Sequence, residues 1–294
     1  MRSYLETTLA AHAFPKEFHP ELLGSYDALI KNPISKEIIN SILSDYEGGK
    51  NPTLEGVCDK IKELAVPAGV HSYTAAAVVF LLLTKHLCTL YSEEGYTEQM
   101  YGGILADIKY KLIECKLVKG IVGTFVASWF VGFFAMRRFC FGRLQFEPFK
   151  ISANCKLKNL TLKEGDGVIN VHIPRTGTRL DAKSCECAYS AAAEFFKKKY
   201  GIPPVFRCKS WLLFPKHREI LNPDSNILAF MNKYEVIDQG TYEDYKEIWR
   251  LFDMDYTGNP NELPCDSSIR RAYIALMKSS EPTGWAEGIY VFEN

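Results

Sequence analysis

The chain has 294 residues, 47% of them hydrophobic and 24% charged, with 35 basic residues against 35 acidic ones. That length buries a useful core as one large domain or two ordinary ones, and the composition excludes a disordered chain. A net charge of zero removes any global electrostatic pull toward nucleic acid or an anionic membrane, leaving only a local basic patch as a route to either.

Residues 1–125 show helical spacing and almost no strand pattern. The stretch MRSYLETTLAAHAF has no continuous apolar run of the kind a secretory signal needs. After Ser35, a candidate N-cap, Ile38, Ile39, Ile42 and Leu43 recur at helix spacing. Thr53 precedes a second helix with Val57, Ile61 and Leu64 on one face, ending near Pro67–Gly69. A third, from about Ser72 to Tyr91, is apolar nearly all round and belongs at the centre of a bundle. The apolar runs 74–83 and 121–136 are shorter than the ~20 residues that span a bilayer, so both read as buried helices. A fourth helix covers about 97–117, Gly120 and Gly123 interrupt the pattern, and the aromatic run Phe125, Trp129, Phe130, Phe133, Phe134 leads out of the bundle.

From Arg137 the period changes to two. RRFCFGRLQFE places Arg143, Gln145 and Glu147 on one strand face and Leu144 and Phe146 on the other. KLKNLTL (156–162) reads as a second strand, GDG (165–167) as a turn, and VINVHIP (168–174) as a buried strand. Asp181 is the expected N-cap of a helix from Ala182 to Tyr200, stopped by Gly201 and Pro203–Pro204. VFRCKSWLL (205–213) then reads as a strand parallel to 168–174, completing a βαβ unit. Helices near 223–231 and 266–279 and a last strand near 285–292 close the chain. The expected class is therefore α+β: a helical domain, 1–125, and a mixed sheet with flanking helices, 126–294.

Nine cysteines, none in a C-x-x-C pair, read as free thiols in a reducing, cytoplasmic compartment. Cys185 and Cys187 lie two apart on a helix and so point to different faces, which disfavours a metal site there.

The element order from 137 onward resembles the acyl-CoA N-acyltransferase superfamily, the GNAT fold. The phrases FGRLQFE (141–147), GDGVINVHIPRTGTRL (165–180), SWLLFP (210–215) and NPDSNILAF (222–230) resemble, more narrowly, bacterial acyltransferase-like proteins with a helical N-terminal domain and a GNAT-like C-terminal domain. The resemblance implies direct transfer of an acyl group from acyl-CoA, acetyl-CoA for instance, to a small-molecule amine or hydroxyl acceptor without a metal. It implies that the thioester lies between strands 168–174 and 205–213, with a main-chain N–H of the central strand at the oxyanion. It also implies that Ile173, Arg175, Thr176, Gly177, Thr178, Arg179, Ser210 and Asn226 contact the cofactor.

The chain departs from the superfamily's Q/R-x-x-G-x-G/A phosphate loop. Of Pro174-Arg175-Thr176-Gly177-Thr178-Arg179, only Gly177 fits, and Asp181 adds a negative charge. Arg175 and Arg179 supply cations of phosphate-matching geometry, or are merely solvated.

Three residues are catalytic candidates. His172, at the end of the central strand, is either a general base or a structural strand histidine. Glu147 is a base, an amine ligand, or the partner of Arg143 in an ion pair. Ser225 is a proton donor to the departing thiolate, or shares with Asp224 the role of helix cap; Trp211 reads as core. The rival to an enzyme is a non-catalytic GNAT-like module that senses a ligand or binds a partner. The oligomeric state is not encoded in any of these features.

Overall fold

The computed structural model describes residues 1–293. They form two compact units, Met1–Cys140 with Arg175–Gly177, and Phe141–Pro174 with Thr178 onward. The first is helical: α1 (Arg2–Ala11), α2 (His19–Lys31), α3 (Pro33–Glu47), α4 (Val57–Ala65), α5 (Ser72–Glu93), α6 (Glu98–Lys119) and α7 (Ala127–Phe134).

Within this unit α5 is the central helix. Thr74 through Thr84 are all buried, and α1, α2, α3, α4, α6 and α7 pack around it. The apolar run 74–83 understated this element. At 22 residues α5 is long and apolar enough to cross a membrane by length and composition, yet most of it is enclosed by its neighbours. The cap of α3 also differs from expectation. Asn32, not Ser35, accepts from the Ser35 N–H at 3.1 Å, and the Ser35 hydroxyl turns to the Leu64 carbonyl at 2.7 Å. Pro33 at the first helical position shifts the start, because a proline there sacrifices no helical hydrogen bond.

The units divide after Cys140, beyond the 125/126 border expected from the sequence. The aromatic run is the reason. Phe130 and Phe134 of α7 meet Phe80 of α5 with ring centroids at 5.3 and 5.2 Å, so α7 completes the helical core.

A short strand, β1 (Phe139–Phe141), marks the border in sequence. The second unit then contains β2 (Leu144–Lys150), β3 (Cys155–Lys156), β4 (Thr161–Leu162), β5 (Gly167–His172), α8 (Ala182–Tyr200), β6 (Val205–Ser210), α9 (His217–Ile220), α10 (Asn226–Met231), β7 (Glu235–Thr241), α11 (Trp249–Phe252), α12 (Ser268–Lys278) and β8 (Gly284–Val291). Its sheet runs in the order β2-β5-β6-β8-β7, with β5 and β6 parallel and the other neighbours antiparallel.

The expected continuous strand 156–162 is instead the hairpin β3–β4, closed by Leu157 N–H to Leu160 C=O at 2.8 Å. The closure turns Leu157 and Leu162 together into an apolar cluster with Ile151, Val168, Val205 and Ile289. Strand β6 is shorter than expected. The Ser210 hydroxyl accepts from Leu212 N–H at 3.2 Å and opens a 3-10 turn, Trp211–Leu213. Sequence pattern did not reveal β7, an edge strand with a bulge between Val236 and Asp238 and little apolar alternation.

One sheet face packs on α8. Phe146, Phe206 and Tyr290 surround Tyr189 of that helix at 6.0, 4.8 and 5.2 Å. The opposite face is apolar only at the end beneath the β3–β4 hairpin. Its other end carries charged and amide side chains.

Candidate functional site

Register decides which side chains meet on that second face. Glu147 of β2 lies opposite Asn170 of β5, and Gln145 opposite His172. Asn170 pairs with Arg207 of β6, and Lys209 with Glu287 of β8. Directly opposed residues share a face, so β2, β5, β6 and β8 set Glu147, His172, Asn170, Arg207, Lys209 and Glu287 in one row.

Hydrogen bonds link Glu147, His172, Asn170, Arg207 and Glu287, and Lys209 joins the row through a longer ion-pair contact. His172 Nε2 is 2.7 Å from Glu147 Oε1, and Asn170 Nδ2 is 3.1 Å from both atoms. Arg207 Nη1 donates to Asn170 Oδ1 at 2.8 Å, and its Nε donates to Glu287 Oε1 at 2.8 Å. Lys209 Nζ lies 3.8 Å from Glu287 Oε2 and 3.7 Å from the centroid of Trp285. The Arg207 guanidinium also stacks 4.4 Å from the ring centroid of Phe149.

Donor chemistry fixes the protons. Arginine only donates, so the Asn170 atom it meets is the carbonyl oxygen, and the Asn170 NH2 donates to Glu147 Oε1; its approach to His172 Nε2 is a contact between two donors and not a bond. An ionised carboxylate only accepts, so the 2.7 Å contact requires a proton on His172 Nε2. The neutral ring then carries its lone pair on Nδ1. The His172 and Glu147 side chains are 21% and 22% exposed, enough for a small reactant to reach them.

The expected ion pair between Arg143 and Glu147 does not form. Glu147 is engaged by His172 and Asn170. Arg143, in the turn before β2, donates from Nη1 to the Pro174 carbonyl at 2.8 Å and from Nε to the Arg179 carbonyl at 3.3 Å. It thereby ties together the two ends of the loop 174–179, and its burial lowers the guanidinium pKa from the ordinary value.

Within that loop Gly177 has φ +69°, and a Cβ there would stand 2.6 Å from Tyr110 Oη, so a side chain is excluded twice over. By their contacts Arg175, Thr176 and Gly177 belong with the helical unit, while Thr178 and Arg179 belong with the sheet unit. Asp181 caps α8 as expected, accepting from Ser184 N–H at 2.9 Å.

The ladder between β5 and β6 joins Ile169 to Phe206 and Asn170 to Arg207. Beyond it, Cys208–Ser210 pair with Gly288–Ala286 of β8. No ladder pair among the described residues joins Val171–His172 to Cys208–Ser210, so the two parallel strands part at the level of His172. Ile173 follows the end of β5, and Ser210 closes β6 on the other side of the opening.

Ser225 caps α10, accepting from Leu228 N–H at 3.2 Å, and Asn226 is that helix's first residue. The bonds of Ser225 stay within the turn and first turn of α10, to Asn222, Leu228 and Ala229. Trp211 packs into a second apolar cluster with Tyr273, Ile248 and Phe252.

Sequence reading had singled out Glu147 and His172 but not Asn170, Arg207 or Glu287. The signal for the first two was present: an amide in VINVH and an arginine in VFRCKS each interrupt an apolar strand. Glu287 lies in an ordinary alternating strand and gave none. Among the described residues, no group of three or more His, Cys, Asp or Glu is arranged to hold a metal.

A family model, the GNAT-like C-terminal domain, matches residues 139–290. The chain belongs to that family. No curated protein matches it in sequence. Solved structures share the fold of the GNAT-like domain and of the helical region before it. An acyltransferase in complex with decanoyl-CoA and teicoplanin superimposes with a TM-score of 0.64 at 18% identity, covering 97% of this chain and 98% of that one. An acyltransferase with CoA and 10C-teicoplanin gives 0.64 at 18%, covering 98% and 99%. A third, with decanoyl-CoA, gives 0.63 at 21%, covering 76% and 67%.

Proposed function

We propose that this protein is an acyl-CoA-dependent acyltransferase that moves an acyl group directly onto an amine acceptor. The observation that carries the reading is the Glu147–His172 pair, 2.7 Å apart, beside the place where β5 and β6 part. Membership of the GNAT-like family supports it, as do structural neighbours that hold decanoyl-CoA or CoA. Their acyl chains make medium-length acyl-CoA the first donor to assay, ahead of acetyl-CoA. Teicoplanin in two of them makes an amine-bearing small molecule the first acceptor.

A thioester supplies the activated carbonyl. His172 Nδ1 takes the proton that the attacking nitrogen must lose as its bond to the carbonyl carbon forms and the carbon–sulfur bond breaks. The departing thiolate recovers a proton from the imidazolium. Glu147 orients the ring through Nε2–H and stabilises the positive charge it acquires, the logic of an acid–histidine pair in acyl transfer. A main-chain N–H at the end of β5 is the group suited to the developing oxyanion. Arg179 is a cation suited to the pyrophosphate. Ser225 retains its hydroxyl proton as a donor, since its oxygen accepts from Leu228.

One observation favours the non-catalytic rival. Pro174 and Arg179 occupy positions where the superfamily's loop brings main-chain N–H groups close to phosphate, and Arg143 occupies both of their carbonyls. The test is release of free thiol from decanoyl-, octanoyl- and acetyl-CoA in the presence of a panel of primary amines, including an amino sugar. We expect turnover that falls by about 10²–10⁴ in His172→Ala with little change in melting temperature. Absence of turnover with every donor, and no thermal shift with millimolar CoA, would leave the ligand-sensing module as the reading.

A further inference from the structure

The row does not end at the base. Its far side is a chain of bonds with no place in proton transfer itself: Asn170 to Glu147, Arg207 to Asn170, and Glu287 to Arg207. We propose that Asn170 and Arg207, braced by Glu287, are positioning residues that hold the Glu147 carboxylate against His172. This inference rests on the acyltransferase reading above.

Geometry carries the argument. Glu147 sits on β2 and His172 on β5, so their 2.7 Å contact depends on where a flexible carboxylate points. The Asn170 NH2 group donates to the same oxygen, Oε1, that receives the His172 proton. That bond removes the rotation that would carry Oε1 away from the ring. An asparagine amide can itself flip, and a flipped amide would aim its oxygen at the carboxylate. Arg207 Nη1, a donor that cannot accept, bonds Asn170 Oδ1 and forbids the flip.

Arg207 is fixed in turn on two sides. Its Nε donates to Glu287 Oε1, and its guanidinium plane lies over Phe149. The side chains of Arg207 and Glu287 are 13% and 16% exposed, so solvent screens the pair weakly. A lysine at 207 could satisfy one of these partners but lacks the planar fork that reaches both. Four adjacent strands of the sheet thus deliver a directional signal, from β8 through β6 and β5 to β2, ending on the carboxylate.

The experiment uses the full chain, decanoyl-CoA as donor and the most reactive amine of the panel as acceptor. It also uses the low-field proton spectrum of the histidine rings, assigned to His172 by comparison with His172→Gln. In the wild type we expect the His172 Nε2–H resonance far downfield and slow to exchange, as a short bond to carboxylate requires. In Asn170→Ala and in Arg207→Ala it should move upfield or vanish into water exchange. In both variants kcat should fall by on the order of ten- to a hundredfold, as for a misplaced catalytic group, with the KM for decanoyl-CoA unchanged. Added guanidinium should restore part of the loss in Arg207→Ala, and none of it in Asn170→Ala.

Arg207→Ala leaves Glu287 with only the 3.8 Å contact to Lys209 and risks a loss of fold, so Asn170→Ala is the deciding variant. If its ring proton and kcat match the wild type, the positioning role is refuted, whatever happens to the melting temperature. If His172→Ala retains turnover, the base assignment itself is wrong and the relay falls with it. If His172→Ala is inactive while Asn170→Ala is not, the acyltransferase reading survives and only the relay fails. If no donor is turned over, the ring proton alone decides: a downfield signal that Asn170→Ala leaves in place refutes the relay.

Discussion

Acidification should destabilise the sheet unit through His217, and by an amount the structure sets. His217 is fully buried. Its Nδ1 lies 3.3 Å from the Leu212 carbonyl and its Nε2 lies 2.6 Å from Tyr273 Oη. The neutral ring satisfies both, with Nδ1–H donating to the carbonyl and Nε2 accepting from the phenol. Protonation would put a charge in an apolar site and force the Tyr273 hydroxyl to turn from donor to acceptor. Burial accordingly lowers the pKa from 6.5 to about 4, opposed in part by the Leu212 carbonyl. In the unfolded chain the ring titrates at its ordinary value, so between these two pH values the unfolded state holds the extra proton. Stability is then unaffected above pH 6.5, falls as pH drops through the window, and levels below pH 4.

At ~1.36 kcal/mol per pH unit, the loss between pH 6.5 and 5 is about 2 kcal/mol. The carboxylates whose pKa values are held down, Asp181, Asp244 and Glu262, act only below this range. Urea unfolding followed by tryptophan fluorescence measures it, since the Trp211 ring lies 6.0 Å from that of His217. In His217→Gln, stability should be lower at pH 7 by roughly 1–3 kcal/mol, from imperfect bonding. Over the same pH range its curve should run flatter than the wild type's by the 2 kcal/mol. Subtraction of the two curves cancels His12, whose pKa burial also lowers. Parallel curves for wild type and variant would show that His217 is not the titrating group.

Two further outcomes follow from packing and exposure. Gly123→Ala should cost about 2 kcal/mol or more, because the new Cβ would stand 2.4 Å from the Tyr73 carbonyl carbon and 2.6 Å from the Thr74 nitrogen, main-chain atoms that cannot step aside. Gly102→Ala, in α6 with nothing within 4 Å, should instead raise the melting temperature slightly, and equal effects of the two would contradict the packing. In native protein, a maleimide should modify the exposed Cys88, Cys187 and Cys265 first. Cys185 and Cys208, whose pKa values burial pushes up to about 11 and about 12, should react only on denaturation, and early labelling of Cys208 would refute its placement.

His172 drew attention in the sequence as a polar side chain at the end of a buried strand, and Glu147 as a carboxylate on the polar face of an alternating one. Their pairing did not, and the salt bridge expected for Glu147 joined it to Arg143 instead. That expectation followed strand spacing alone, which places 143 and 147 on one face. The turn Gly142–Arg143 takes Arg143 off the strand, and the carbonyls of the 174–179 loop compete for its donors. The role of Arg207 was equally invisible: the sequence set β6 beside β5, but not the register that places Arg207 opposite Asn170.

Local chemistry determined much of this protein by itself. Asp181 at one end of α8 and Gly201 with Pro203–Pro204 at the other delimit Ala182–Tyr200 without help from the rest of the chain, because a cap and a stop act within one turn. The central place of α5 was likewise legible, since a helix apolar on every side has no face to give to water. Strand register was not. Moving a strand by one residue exchanges its two faces, and that choice depends on partners far apart in sequence. Only the assembled sheet therefore decided that Glu147, His172, Asn170, Arg207 and Glu287 share one face and one run of hydrogen bonds.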